Sequence, residues 1–354
     1  MNSISDGTEN RPTTGSTALE RLSFQLLPSV EDEMRRHLKD TVGPALPGLR
    51  QMLEYALGLD SAGSPSTTRG KRVRPLLLLL SVIATGGNWR RAIPAAVATE
   101  MIHNFSLIHD DIEDHDETRR GAPSLWAKWG IPQAINTGDS VFILAFSELE
   151  TLKKIHSPGG YQAAQSILNA AVVSLTNGQY EDLAGSERPA ITMAEYRHLI
   201  EGKTAALMKA STELGATLGG GSAREIVALC DFGRALGLAF QIHDDLLGIW
   251  GKQEQTGKST SSDLLNRKKS FPIVFALERA GPFYRRWSSG LPFSPEEIPS
   301  LAQMLVDEGA LEATQYEERQ LTGQALSSLD SLNGPADPIA ALRELALQLV
   351  ERSG

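Results

Sequence analysis

Cysteine is almost absent: Cys230 is the only one in 354 residues. An intrachain disulfide and a cysteine-rich zinc site are therefore excluded, and the chain suits a reducing cytoplasm, the compartment expected for it. Long apolar runs are absent as well. The longest, Leu76 to Ala84 after Pro75, is too short to cross a bilayer, and residues 1–16 lack a signal-peptide apolar stretch, so no stable membrane insertion is expected. Net positive charge is missing: at −9 the protein as a whole repels nucleic acid and anionic lipid. No nucleic-acid partner is expected, and an anionic substrate must be held by local cations or bridging metal. Aromatic residues make up only 6%, yet with 41% hydrophobic and 22% charged residues the balance is that of a globular protein rather than a disordered or fibrous one.

Strand-like alternation is also lacking. What recurs instead is apolar spacing of three and four residues, in Leu76 to Ala84, Ala92 to His109, Ile135 to Leu152, Tyr161 to Leu183, Met193 to Leu218 and Glu225 to Leu247. Gly86-Gly87, Ser157-Pro158-Gly159-Gly160 and Gly219-Gly220-Gly221 punctuate these stretches as loops. The pattern predicts an all-α protein, with a disordered polar tail over residues 1–18 and one helical domain over residues 19–354.

Chemistry concentrates at the ends of two apolar helices. Asp110, Asp111 and Asp114 form a DDxxD arrangement, in which Asp110 and Asp114 share a helix face with Asp111 beside them. Like charges this close favour a hard cation between them, and Mg²⁺ held by carboxylate and substrate phosphate is the usual chemistry. Alone, such a cluster is more often a solvated acidic helix end. It is not alone, because Asp244 and Asp245 repeat the pattern after Phe240-Gln241. Two facing carboxylate pairs can clamp metal ions around one diphosphate and neutralise it as a leaving group. Lys71, Arg74, Arg119, Arg120, Lys203, Lys258 and Lys268 supply cations suited to phosphate oxygens.

With these motifs in view the chain resembles the trans-isoprenyl diphosphate synthases, or polyprenyl synthetases. The matching phrases are GKRVRP at 70–75, EMIHNFSLIHDDIEDHDETRRGAPSLW at 100–126, NTGDS at 136–140, NGQYEDL at 177–183, EGKTAALM at 201–208, FQIHDDLLGIWG at 240–251 and TGKSTSSDLLNRKKSFP at 256–272, in the family's order. The resemblance implies a single-domain helical bundle around a central apolar cavity, a homodimer, and three Mg²⁺ ions per site when substrate is bound. It implies head-to-tail condensation of isopentenyl diphosphate with dimethylallyl, geranyl or farnesyl diphosphate. By matching position, Asp110, Asp111, Asp114, Asp244 and Asp245 are the metal-binding candidates. Arg119, Lys203 and Lys258, with Lys268 nearby, would hold the allylic diphosphate. Lys71, Arg74, His103 and Arg120 would hold isopentenyl diphosphate, while Thr204 and Gln241 would steady the reacting carbons.

Two departures stand out. Gly248 occupies the place where the family usually has a third aspartate in the second motif, so one carboxylate is missing there. Ser261 and Arg267 replace glycines common around Lys258 and Lys268. For product length, Phe105 lies five residues before Asp110, about 7.5 Å along a helix, and is expected to floor the cavity. The small Ser106 resembles geranylgeranyl-forming members, which makes geranylgeranyl diphosphate the expected product and farnesyl or a somewhat longer one the nearest variant. A class I terpene cyclase is the competing enzyme class, though it needs no second diphosphate site. A non-catalytic partner subunit is the third alternative, raised by Gly248.

Overall fold

The structure is a computed structural model that describes residues 16–59, 70–251 and 261–350. Of the tail expected over residues 1–18, residues 1–15 lie outside the described residues. Order begins where the sequence offers a cap. Thr17 accepts from the Glu20 backbone N–H at 3.2 Å, and the Glu20 carboxylate accepts from that of Thr17 at 2.9 Å, which starts α1 (Ala18–Thr41). Its Leu26, Val30, Met34 and Leu38 recur every four residues and are fully buried, a single stripe facing the core. After α2 (Pro47–Ala56), α3 (Val73–Ala84) buries Leu76 to Leu80 on all sides. Each such leucine stabilises by about 1.5–3 kcal/mol, so α3 is a helix of the main core.

The helices α4 (Ile93–Glu113), α5 (Leu125–Trp129), α6 (Ile131–Leu149) and α7 (Pro158–Ser186) follow. Between α4 and α5 lies the one pair of strands among the described residues, β1 (Thr118–Arg119) and β2 (Ala122–Pro123), antiparallel with Arg119 opposite Ala122. Arg120 and Gly121 both take positive φ, 53° and 75°, as a tight two-residue hairpin turn requires. Next, α8 (Met193–Ile200) passes through a π-helical turn (Glu201–Ala205) into α9 (Ala206–Leu218), and α10 (Ala223–Trp250) begins with a Ser222–Glu225 capping box. The short α11 (Ser262–Leu265) leads to α12 (Phe271–Arg279), α13 (Pro282–Trp287), α14 (Ile298–Asp307), α15 (Ala310–Ser328) and α16 (Ala336–Val350). The all-α architecture predicted from the spacing is what forms.

By length and composition α10 could cross a membrane, but 61% of its apolar window is buried in the fold, as in a core helix. It contributes Phe232 and Leu236 to the main core, Leu238 and Ile242 to a second core with Tyr196 and Phe271, and Ile249 to a third with Leu264, Phe283 and Trp287. Packing along its whole length fixes the azimuth of α10, and with it the aim of the carboxylates near its end.

Candidate active site

A cavity of about 1360 Å³ opens between α4, α7, α9 and α10, above the roughly 300–1,000 Å³ of ordinary small-molecule sites. Asp110 and Asp114 reach it from the last turn of α4, Asp244 from α10. A helix C-terminus is already negative, so carboxylates there need cations close by. Lys203 supplies one: its Nζ lies 3.0 Å from Asp110 Oδ1 and 2.6 Å from Asp182 Oδ2. Arg119 supplies another, 3.3 Å from Asp110 Oδ2, with its Nε donating to Asp111 Oδ1 at 2.7 Å. Burial works against the Asp110 charge, but Lys203 and then Arg119 outweigh it and hold that carboxyl below the usual range. Asp114 goes the other way, raised by burial and then by the Asp110 charge.

The neighbouring aspartates of each motif face elsewhere. Asp111 is buried against Arg119, and burial, ahead of the Arg119 hydrogen bond that opposes it, pushes its carboxyl up to about 6. Asp245 accepts from Gln241 Nε2 at 2.9 Å and from the Phe271 backbone N–H at 2.8 Å, and takes the Tyr196 hydroxyl as a further donor. It too is raised to about 6, chiefly by burial. Neither lines the cavity, so their placement is that of supports behind Asp110, Asp114 and Asp244. The Thr204 hydroxyl donates to Gln241 Oε1 at 2.6 Å, and both residues line the cavity. Thr204, Gln241, Asp245 and Tyr196 thus form one hydrogen-bonded chain from cavity wall to core.

A second cationic group stands apart from the acids. Arg72, left-handed at φ 52° and buried, donates to Glu100 at 2.9 Å and to the Leu57 carbonyl, and so pins the segment between Lys71 and Arg74. Arg74 and His103 line the cavity. Arg74 Nε is buried with no hydrogen-bond partner, and burial lowers the Arg74 pKa to about 10, with Glu100 opposing and Arg120 adding. Burial, then Arg74, Arg120 and Arg119, holds His103 well below its ordinary value, so the imidazole is neutral at pH 7. Repelling cations around an unsatisfied donor are a site made for an anion.

Lys258 falls outside the described residues. Lys268 lines the cavity. Ser106 lines it as well, but Phe105 does not: its ring packs on His109 at 4.8 Å and Phe142 at 4.9 Å between centroids. Sequence reasoning gave no role to Gln179, which donates to Glu113 at 2.6 Å and Asp110 at 3.3 Å, or to Asp182. Their three-residue spacing, one face of α7, was the available signal.

Among the described residues no three His, Cys, Asp or Glu side chains converge as a ready-made metal site. The hard oxygen donors Asp110, Asp114 and Asp244 instead face one cavity from two helices. Such a set fits Mg²⁺, which is usually held by one or two carboxylates, with substrate phosphates and water completing its shell.

Comparison with known proteins places this geometry in context. The sequence profile of the polyprenyl synthetase family matches residues 59–290. A (2E,6E)-farnesyl diphosphate synthase of Mycobacterium tuberculosis (strain ATCC 25618 / H37Rv) is 36% identical over 350 residues, covering 96% of both chains. A geranylgeranyl pyrophosphate synthase of Geoglobus acetivorans is 36% identical over 283 residues, 80% of this chain and 87% of that one. The crystal structure of a polyprenyl synthetase from Streptomyces coelicolor A3(2) superposes with a TM-score of 0.82 at 34% identity, covering 94% of this chain and 98% of the other.

Proposed function

This chain belongs to the polyprenyl synthetase family and is a prenyltransferase, and from that premise we propose that it joins isopentenyl diphosphate head-to-tail to an allylic diphosphate, giving a short-chain (E)-prenyl diphosphate. The observation that carries this reading is the presence of two unlike cationic groups in one cavity. Arg119 and Lys203 are interleaved with the Asp110 and Asp182 carboxylates, a place for a diphosphate that arrives with metal. Arg74 and neutral His103 line the same cavity, with the Arg120 charge acting on both from behind the wall, and form the other group, suited to a diphosphate held without metal. A terpene cyclase, with one diphosphate to hold, has no use for the second.

Asp110, Asp114 and Asp244 would hold the Mg²⁺ ions; bound there, the metal neutralises the departing diphosphate. Lys203 and Arg119 orient that diphosphate. Arg74 and Arg120 fix the isopentenyl partner, and His103, being uncharged, donates to a phosphate oxygen without adding another repelling cation. The apolar wall keeps water from the allylic cation. Thr204 Oγ1, held by Gln241, turns an oxygen toward the reacting carbons, and the released diphosphate takes the proton lost as the new double bond forms.

The product we assign is geranylgeranyl diphosphate, because small Ser106 leaves the wall below Asp110 open. Farnesyl diphosphate is the second reading, favoured by the 96% coverage of both chains in the farnesyl-named match. We further assign a cytoplasmic location, in keeping with the lone Cys230, and a homodimer, since α6 exposes Ile131, Ile135 and Ile143 and α7 exposes Val173 and Tyr180; light scattering should give twice the single-chain mass. The decisive experiment supplies Mg²⁺ with dimethylallyl, geranyl or farnesyl diphosphate as separate starters, with and without isopentenyl diphosphate, and separates the products by chromatography. Elongation only with both substrates is expected. Turnover of farnesyl diphosphate alone would make this a cyclase.

A further inference from the structure

The acidic motif of α10 ends on Gly248, but the space beside that glycine is not empty. A Cβ added there would lie 2.5 Å from Asp263 Oδ2, 2.6 Å from its Cγ and 2.8 Å from its Oδ1. The carboxylate of Asp263 therefore fills the volume that a side chain on residue 248 would claim, and it has come from α11, fifteen positions further along the chain.

Three observations say that this carboxylate is held for a ligand. Asp263 is 8% exposed, and its Oδ2 is buried with no hydrogen-bond partner, a costly state for a carboxylate oxygen. It lines the cavity together with Asp244 and Lys268. Its backbone is over-determined: Ser261 and Arg267, both left-handed at φ 60° and 51°, bracket it. The Ser261 hydroxyl donates to the Ile249 carbonyl at 2.7 Å, and the Lys268 N–H donates to the Asp263 carbonyl at 2.9 Å. Arg267 is secured in turn by the Trp287 carbonyl at 2.7 Å and by the faces of Trp287 and Phe293. These contacts offset two strained φ angles that glycine would adopt freely, and their effect is to press Asp263 against α10.

We propose that Asp263 supplies, from α11, the carboxylate that the second acidic motif lacks at Gly248, and that Asp244 and Asp263 together form the α10 side of the divalent-cation site. The two features are then coupled: Gly248 is required because Asp263 is there. This rests on the diphosphate-and-metal reading of the cavity and names a residue that the two motifs do not contain.

The test is Mn²⁺ binding in the presence of inorganic pyrophosphate, followed by electron paramagnetic resonance, which needs no turnover. Asp263→Asn keeps the shape and removes the charge; its Mn²⁺ affinity should fall about tenfold or more, the usual effect of losing a supporting carboxylate, with the melting temperature unchanged. The swap Asp263→Ala with Gly248→Asp, which returns a carboxylate to the same volume from α10, should recover most of that loss. Unchanged affinity in D263N overturns the proposal, as does a loss accompanied by a lowered melting temperature or one that the folded swap fails to recover. If the swap does not fold, Asp263→Glu decides: binding retained there but lost in D263N supports the charge, and equal loss in both overturns it. Failure of the wild type to bind Mn²⁺ with pyrophosphate would instead sink the underlying reading of the cavity.

Discussion

His103 shows how strongly one residue's chemistry depends on its surroundings. A histidine in water takes a proton near pH 6.5, but this one is enclosed by the fold and then repelled by Arg74, Arg120 and Arg119, which keeps it neutral well below that value. In the pH window between the lowered folded value and 6.5, the unfolded chain binds a proton that the folded chain refuses. Stability is therefore fully present above 6.5 and is lost as pH falls through that window. His103→Asn retains a donor but cannot titrate. Urea unfolding between about pH 5 and 7 should show a shallower decline for the variant than for the wild type. Identical slopes would mean that His103 is not held neutral by its neighbours. Pyrophosphate should flatten the wild-type slope too, because an anion beside His103 replaces repulsion with attraction.

At the scale of elements, the site depends on a backbone contact between α7 and the π-helical turn. A Cβ on Gly178 would lie 2.3 Å from Lys203 N and 2.8 Å from Gly202 C, and backbone atoms cannot step aside cheaply. Gly178→Ala should push the turn off α7 and draw Lys203 away from Asp110 and Asp182, destabilising by about 1–3 kcal/mol as overpacking does, with kcat falling more than the melting temperature alone explains. Gly323→Ala is the control: nothing lies within 4 Å of that position on α15, so it should stabilise by about 0.5–1 kcal/mol. Differential scanning calorimetry beside steady-state kinetics separates the two outcomes. Lys203 itself was legible as a cation, and through the family resemblance as one that holds diphosphate, but the turn that aims it was not, because a π-helical turn leaves no mark on three- and four-residue spacing. Arg119 was legible likewise, whereas the hairpin that carries it has two-residue strands, too short to alternate. Asp263 hid for a different reason: its meaning comes from a contact across fifteen residues of chain that spacing within a motif cannot express.

Across the whole molecule, the product length we propose depends on how far the cavity runs down α4 from the cavity-facing carboxylates. Distance along the helix was readable from sequence, and it made Phe105 the expected floor. Azimuth decides otherwise. At about 100° per residue, Ser106, four positions before Asp110, lies only about 40° round the helix from it, while Phe105 at five positions lies about 140° away. The structure agrees, with Ser106 on the cavity wall and Phe105 stacked on His109 and Phe142 toward α6. The same rotation separates cavity-facing Asp114 and Asp244 from the inward Asp111 and Asp245, so one rule orders both the head and the tail of the substrate. Ser106→Phe should therefore plug the cavity just below the carboxylates and shift the product toward fewer isoprene units. Phe105→Ala should change it less, because the space released opens behind the wall. Chromatography of products from dimethylallyl diphosphate decides between the two variants. A longer product from Phe105→Ala with none of the shortening in Ser106→Phe would mean that the tail turns between α4 and α6, and that Phe105 closes its path after all.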